Sequence, residues 1–151
     1  MKSRVERNDL DQFGEIFVME ARITFGISGE NFNAKSCIER LNSNELKIFL
    51  YQDEFPNSIS FVHPNEFIDY HDESYSAYEK AYLDFIINNI AELVRCGANN
   101  FSLFTEMYIQ NDEQCNFEVL SSAFYPYIWK YEIRMPTSVY IIEDETPIQN
   151  T

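Results

Sequence analysis

The segment SAYEKAYLDFIINNIAELVRCG, from Ser76 to Gly97, constrains the fold of this chain more than any other. Tyr78, Tyr82, Phe85, Ile86, Ile90, Leu93 and Val94 recur at helical intervals and define one broad apolar stripe. A helix of that kind is stable only where its stripe is covered by another element. Ser76 and Glu79 have the spacing of a capping box. Gly97 stands just past the last turn, where a left-handed residue ends a helix. The expectation is a helix that starts near Ser76 and buries Phe85, Ile86, Ile90 and Leu93 against a sheet.

The covering elements have a different period. EIFVMEARITFGISG alternates Phe17, Met19, Ala21, Ile23 and Phe25 with mostly polar neighbours, as a half-buried strand does, and Gly26 and Gly29 mark a bulge or its end. ELKIFLY reads as a second strand and SISFVHP as a shorter third, ended by Pro64. Between the first and second strands, Asn33 is placed to cap a short helix whose apolar side is Ala34, Cys37, Ile38 and Leu41. FSLFTEMYIQNDEQCNFEVLS has the pattern of a hairpin: Phe101, Leu103, Met107 and Ile109 alternate, NDE turns, and Cys115, Phe117 and Val119 return. Residues 124–134 fit two states. Pro126 suits the first turn of a helix, while Tyr125, Tyr127, Trp129, Tyr131 and Ile133 also fit strand alternation. TSVYII closes the pattern as a strand, and residues 1–13 and 143–151 read as loose polar ends. Together these elements predict one α+β domain over residues 1–151. Its sheet is mostly antiparallel, with one long and one or two short helices packed largely on one face.

Charge narrows the function. The chain has 25 Asp and Glu against 11 Lys and Arg, a formal net charge of −14. Direct binding to nucleic acid or to an anionic membrane surface is disfavoured, because like charges repel; a basic protein is the favoured partner. The charge is also unevenly placed. From Ile48 to Glu79 there is no Lys or Arg, while Asp53, Glu54, Glu66, Asp69, Asp72, Glu73 and Glu79 fall in that stretch. A second base-free stretch, Cys96 to Trp129, holds Glu106, Asp112, Glu113 and Glu118. Cys37, Cys96 and Cys115 are dispersed, with no C-x-x-C, and read as reduced, mostly buried thiols. The N-terminal residues lack the apolar core of a secretory signal, and no run approaches the ~20 apolar residues of a membrane helix. The expectation is a soluble cytoplasmic protein.

Reactive chemistry finds little footing. Asp69, His71, Asp72 and Glu73 could in principle hold a metal, but their spacing matches no zinc or iron motif, and a solvated acidic loop is the simpler reading. There is no G-x-S-x-G and no Gly-rich phosphate loop, and the whole chain has four glycines. No catalytic residue, metal or cofactor is therefore expected. The tyrosines within the acid-rich stretch supply rigid contact area with a polar tip, as protein interfaces do. The candidate partner-binding set is Asp53, Glu54, Glu66, Asp69, Tyr70, Asp72, Glu73 and Tyr75.

A small, strongly acidic α+β chain with tyrosines in its acidic loops resembles the immunity proteins of bacterial toxin systems, including those of contact-dependent growth inhibition. ITFGISGENFNAKSCIERL and MPTSVYI are in addition similar to a bacterial domain family of unknown function. The immunity resemblance implies a non-enzymatic protein that binds one cognate toxin, a basic nuclease domain, and blocks it. Three other readings stand beside it: a nucleic-acid mimic that occupies a DNA-binding protein, a small carboxylate-dependent enzyme or metal binder built on DYHDE, and an acidic adaptor.

Overall fold

A computed structural model describes residues 19–42, 45–110 and 116–142. The described strands form a six-stranded, mostly antiparallel open sheet in an α+β domain. Strand β1 (Met19–Ser28) lies at its centre, and its inward residues Met19, Ala21, Ile23, Phe25 and Ile27 are all buried. Helix α1 (Ala34–Ile38) follows, with the Asn33 side chain accepting the Ser36 N–H as the sequence leads one to expect. Strands β2 (Lys47–Leu50), β3 (Ser58–Val62) and the two-residue β4 (Ile68–Asp69) precede the long helix α2 (Tyr75–Arg95). Strand β5 (Asn100–Gln110), a 3-10 turn (Ser122–Phe124), helix α3 (Tyr125–Tyr131) and strand β6 (Thr137–Ile142) complete the order.

Along the sheet the order is β2-β3-β1-β5-β6. β5 pairs antiparallel with the whole of β1, from Met19↔Ile109 to Ser28↔Asn100. The opposite edge of β1 is shared: β3 pairs with Thr24 to Ser28, and β4 with Glu20 and Ala21. Both edges of β1 are thereby occupied; the register runs unbroken through Gly26, so no bulge forms there, and the glycines mark instead the end of the strand at Ser28, before Gly29. The shift falls instead in β2, between Ile48 and Leu50.

All three described helices pack on one core. α2 contributes Tyr78, Tyr82, Phe85, Ile86, Ile90 and Leu93; α1 contributes Ala34 and Cys37; Tyr127, Ile128 and Tyr131 of α3 close its side. Aromatic rings fill the middle: Phe25 meets Phe85 edge-on at 5.9 Å and stacks on Phe101 at 6.3 Å, and Phe61 lies 4.7 Å from Phe85. The helix ends as its sequence predicts. Gly97 has φ +98, its N–H bonds to the Val94 carbonyl, and the Ala98 N–H bonds to that of Leu93. A Cβ on Gly97 would sit 2.4 Å from the Asn31 carbonyl oxygen, so close packing as well as the positive φ reserves the position for glycine.

Three expectations are corrected. The helix begins at Tyr75 with Ser74 as its first boundary residue, so Ser76 lies inside the first turn and Ser76 with Glu79 forms no capping box. Val94 is exposed while its neighbour Leu93 is fully buried, because successive helix residues point about 100° apart and the stripe ends at Leu93. The expected return strand is not formed over its described part: Phe117 and Val119 pack against the core from irregular chain, while Cys115 and the NDE turn lie outside the described residues. The place beside β5 goes to β6, which pairs with it in parallel from Thr105↔Thr137 to Gln110↔Ile142. A parallel partner needs a long crossover, and α3 is part of it. Residues 125–131 are accordingly helical, with Pro126 in the first turn and Glu132 in a left-handed conformation at the end. The helix turns Tyr127, Ile128 and Tyr131 inward and leaves Trp129 85% exposed.

Ile90 is 2% exposed, whereas Ile87 on the other side of α2 is 46% exposed. Ile90→Ala is expected to cost about 2–5 kcal/mol. Ile87→Ala should stay within about 0.5 kcal/mol. Urea unfolding of the two variants checks the phase of the helix, and equal losses would contradict it.

Candidate functional site

Seven of the eight candidate residues fall into two groups at opposite ends of the sheet, and Glu66 stands apart from both. Glu20 of β1 pairs with Asp69, while Ser28, at the other end of the strand, pairs with Ser58 and Asn100. That stretch of β1 spans roughly 27 Å of extended chain. Asp53 and Glu54 occupy the turn between β2 and β3 at the Ser28 end; Glu54 lines a shallow depression there with Ser28, Gly29 and Asn99. Asp69, Tyr70, Asp72, Glu73 and Tyr75 gather at the other end, around the start of α2.

Local chemistry shapes this second group. The Asp69 carboxylate accepts the His71 N–H at 2.9 Å. The Asp72 carboxylate accepts both the N–H and the hydroxyl of Ser74, and its carbonyl accepts the Tyr75 N–H. These are Asx turns, and they leave negative charge at the positive end of the α2 dipole, where it is favourable. Glu73 is exposed. Glu66 faces a different direction, 3.8 Å from Lys47. Tyr70 is half-buried, and its hydroxyl oxygen accepts the Glu118 N–H at 2.8 Å. Tyr75 is 9% exposed, so its ring belongs to the core margin rather than to the open surface. Burial, and next the nearby Glu79 charge, push its phenol pKa upward.

Two acidic residues absent from the candidate set complete the arrangement. Glu79 is only 8% exposed, and one carboxylate oxygen accepts the Ser121 N–H at 2.9 Å. Glu118 stands beside it on the chain that follows β5. Together with Tyr70, Tyr75, Lys80 and Phe124 they line a pocket of about 420 Å³. A signal for Glu79 was present in the sequence. It sits four residues after Tyr75 and three before Tyr82, hence on the apolar stripe of the helix. Glu118 carried no such signal, because only the tertiary fold brings it to α2.

His63 has a local role. His63 lies 3.2 Å from Glu45 through Nε2, its Nδ1 accepts the Asn65 N–H, and its ring lies 5.0 Å from that of Tyr78. Among the described residues no three His, Cys, Asp or Glu side chains converge as metal ligands would. Cys37 and Cys96, remote in sequence, meet where α1 packs on the end of α2; burial and the contact with Cys96 push the Cys37 thiol up to about 12. No described helix is long and apolar enough to cross a membrane. The sheet face away from the helices carries an aromatic layer. Arg22, paired with Glu106, lies 4.9 Å from the Phe67 ring centroid and 5.4 Å from that of Phe49, and Tyr108 stacks on Tyr140 at 5.0 Å.

What holds the α2 end of the site in place is a pair of tyrosines. Ile23 sits where β3 has ended and β4 has not begun, so its N–H and C=O have no strand partner on that edge. The Tyr78 hydroxyl oxygen accepts the Ile23 N–H, and the Tyr82 hydroxyl donates to the Ile23 carbonyl. Tyr78 donates its own proton to the Glu66 carbonyl, and the Tyr82 oxygen accepts the His63 N–H. Each hydroxyl therefore bridges β1 to the chain between β3 and β4.

Tyr82→Phe would strand the Ile23 carbonyl and the His63 N–H, at an expected cost of about 1–3 kcal/mol. Burial raises both phenol pKa values. Above the unfolded-state phenol pKa of about 10 the unfolded chain sheds protons that the folded chain retains. The tyrosines' contribution to stability is thus fully present below that pH and lost as pH rises through the folded-state values. Melting temperatures between neutral and strongly alkaline pH should show this loss, with a shallower fall in Tyr78→Phe and Tyr82→Phe; an unchanged slope in both would contradict the assignment. The chain matches no protein-family model, no curated protein and no solved structure.

Proposed function

We propose that this chain is an immunity protein: it binds a cognate basic toxin domain, a nuclease, and neutralises it through the acidic surface around the start of α2. The observation that carries this reading is the meeting of the two base-free stretches. One supplies Glu79, with Asp69, Asp72 and Glu73 just before it in the chain, and the other Glu118; Glu79 and Glu118, distant in sequence, line one pocket with Tyr70. Such a surface steers a cationic domain toward it and opposes binding to nucleic acid itself. A nuclease must present basic groups to its own substrate, and those groups are what this surface complements. In this reading the protein acts in the cytoplasm, without cofactor or catalytic step, and Asp53 and Glu54 lie outside the contact.

The test is association kinetics with the toxin domain at several salt concentrations, alongside protection of cells that express it. Asp69→Asn, Asp72→Asn and Glu73→Gln remove charge while keeping an oxygen that can accept the turn hydrogen bonds. The triple variant is expected to associate about ten-fold or more slowly at low salt, with a flattened salt dependence. Tyr70→Ala should act chiefly on dissociation. Neutralising Asp53 and Glu54 at the far end should change little. Unchanged kinetics and full protection in the triple variant would remove the surface from consideration.

A further inference from the structure

We infer that the pocket at the start of α2 seats an arginine side chain of the protein partner, with the Glu79 carboxylate as its counter-charge and the Tyr70 and Tyr75 rings as its walls. This rests on the reading of the chain as a binder of a basic protein and names the group that the surface recognises.

Three observations carry it. Glu79 is more than nine-tenths buried, yet among the described residues it is engaged only by the Ser121 N–H, and no Lys or Arg of them pairs with it. A carboxylate has room for about four donors, and a buried one without a counter-ion is costly. Its neighbour Lys80 does not serve, because its Nζ is held by Asp84 at 2.7 Å on the next turn. Second, Tyr75, also on the pocket wall, is about nine-tenths buried, and its hydroxyl has no hydrogen-bond partner among the described residues. Buried polar atoms are seldom left so, and one that is calls for a ligand or water. Third, the space is about 420 Å³ and is partly walled by Tyr70, Tyr75, Leu83 and Phe124, which suits a long side chain with an apolar stem.

The sign of the ligand follows from the charges. The start of a helix attracts anions, but Glu79 and Glu118 oppose one here, and Lys80 is already neutralised by Asp84. The shape of the ligand follows from the donors required. A guanidinium presents five N–H groups in a plane, so it can fork onto Glu79 and lie against an aromatic ring together. A lysine ammonium is more strongly hydrated and lacks that plane.

The experiment is an NMR titration of the isotopically labelled full chain with N-acetyl-arginine methylamide, repeated with the lysine analogue and with the neutral citrulline analogue. Saturable shifts are expected at Tyr75, Glu79, Glu118 and Ser121 with the arginine probe. Binding should be about ten-fold or more weaker with citrulline and in Glu79→Gln, because the charge-assisted pair is lost in both. The glutamine oxygen can still accept the Ser121 N–H, and Tyr75→Phe provides a second variant that keeps the ring while removing the hydroxyl. No saturable shift, equal binding of citrulline, or tighter binding of the lysine analogue would overturn the inference. Should the arginine probe fail while the Asp69, Asp72 and Glu73 variant still slows association with the basic domain, the pocket assignment falls and the acidic-surface reading stands.

Discussion

The backbone of Ile23 is the point on which the rest of the structure depends. β3 and β4 share one edge of β1 and leave a gap opposite this residue. An unpaired peptide group in a dry interior costs about as much as a lost hydrogen bond. The gap is closed from outside the sheet, by two hydroxyls one helical turn apart on α2. Tyr78 and Tyr82 therefore make the helix phase and the sheet register conditions of each other. Once that phase is set, Tyr75 lies one turn earlier on the same stripe and Glu79 on its flank. The irregular chain after β5 then brings Ser121 and Glu118 against them.

Acid excess is tolerated because it is organised in different ways in different places. On the open face of the sheet, Arg22 meets Glu106 beside Phe49 and Phe67, so charge there is matched. Around the start of α2, Asp69 and Asp72 are tied into turns that the helix dipole favours. At Glu79 the charge is buried beside a single backbone donor. The first arrangement is complete within the chain. The last has no counter-charge among the described residues, and this difference sets it apart from a structural ion pair.

How much could be read in advance follows from the range of each force. Helix α2, its end at Gly97, the Asn33 cap and the alternation of β1 depend on neighbours a few residues away, and all were legible. The return strand after β5 was not, because local alternation cannot report that β6, arriving through a helical crossover, pairs with β5 instead. Residues 125–131 satisfied two periods at once, and only the need to carry the chain across to a parallel strand selected the helix. The acidic character of the segment before α2 was plain from composition, but its division from Asp53 and Glu54 is a matter of topology.

By itself, then, the sequence determined the class of the fold, the long helix with its sheet-facing stripe and the excess of acid without nearby base. Those properties reside in residue type and short spacing. Tertiary structure decided which acids lie together. It placed Asp53 and Glu54 at the far end of β1, drew Tyr75 into the core margin, and joined Glu79 to Glu118 across chain segments with no local relation. The physical reason is that a pocket is a property of surfaces meeting. No periodicity within one segment encodes which other segment will meet it.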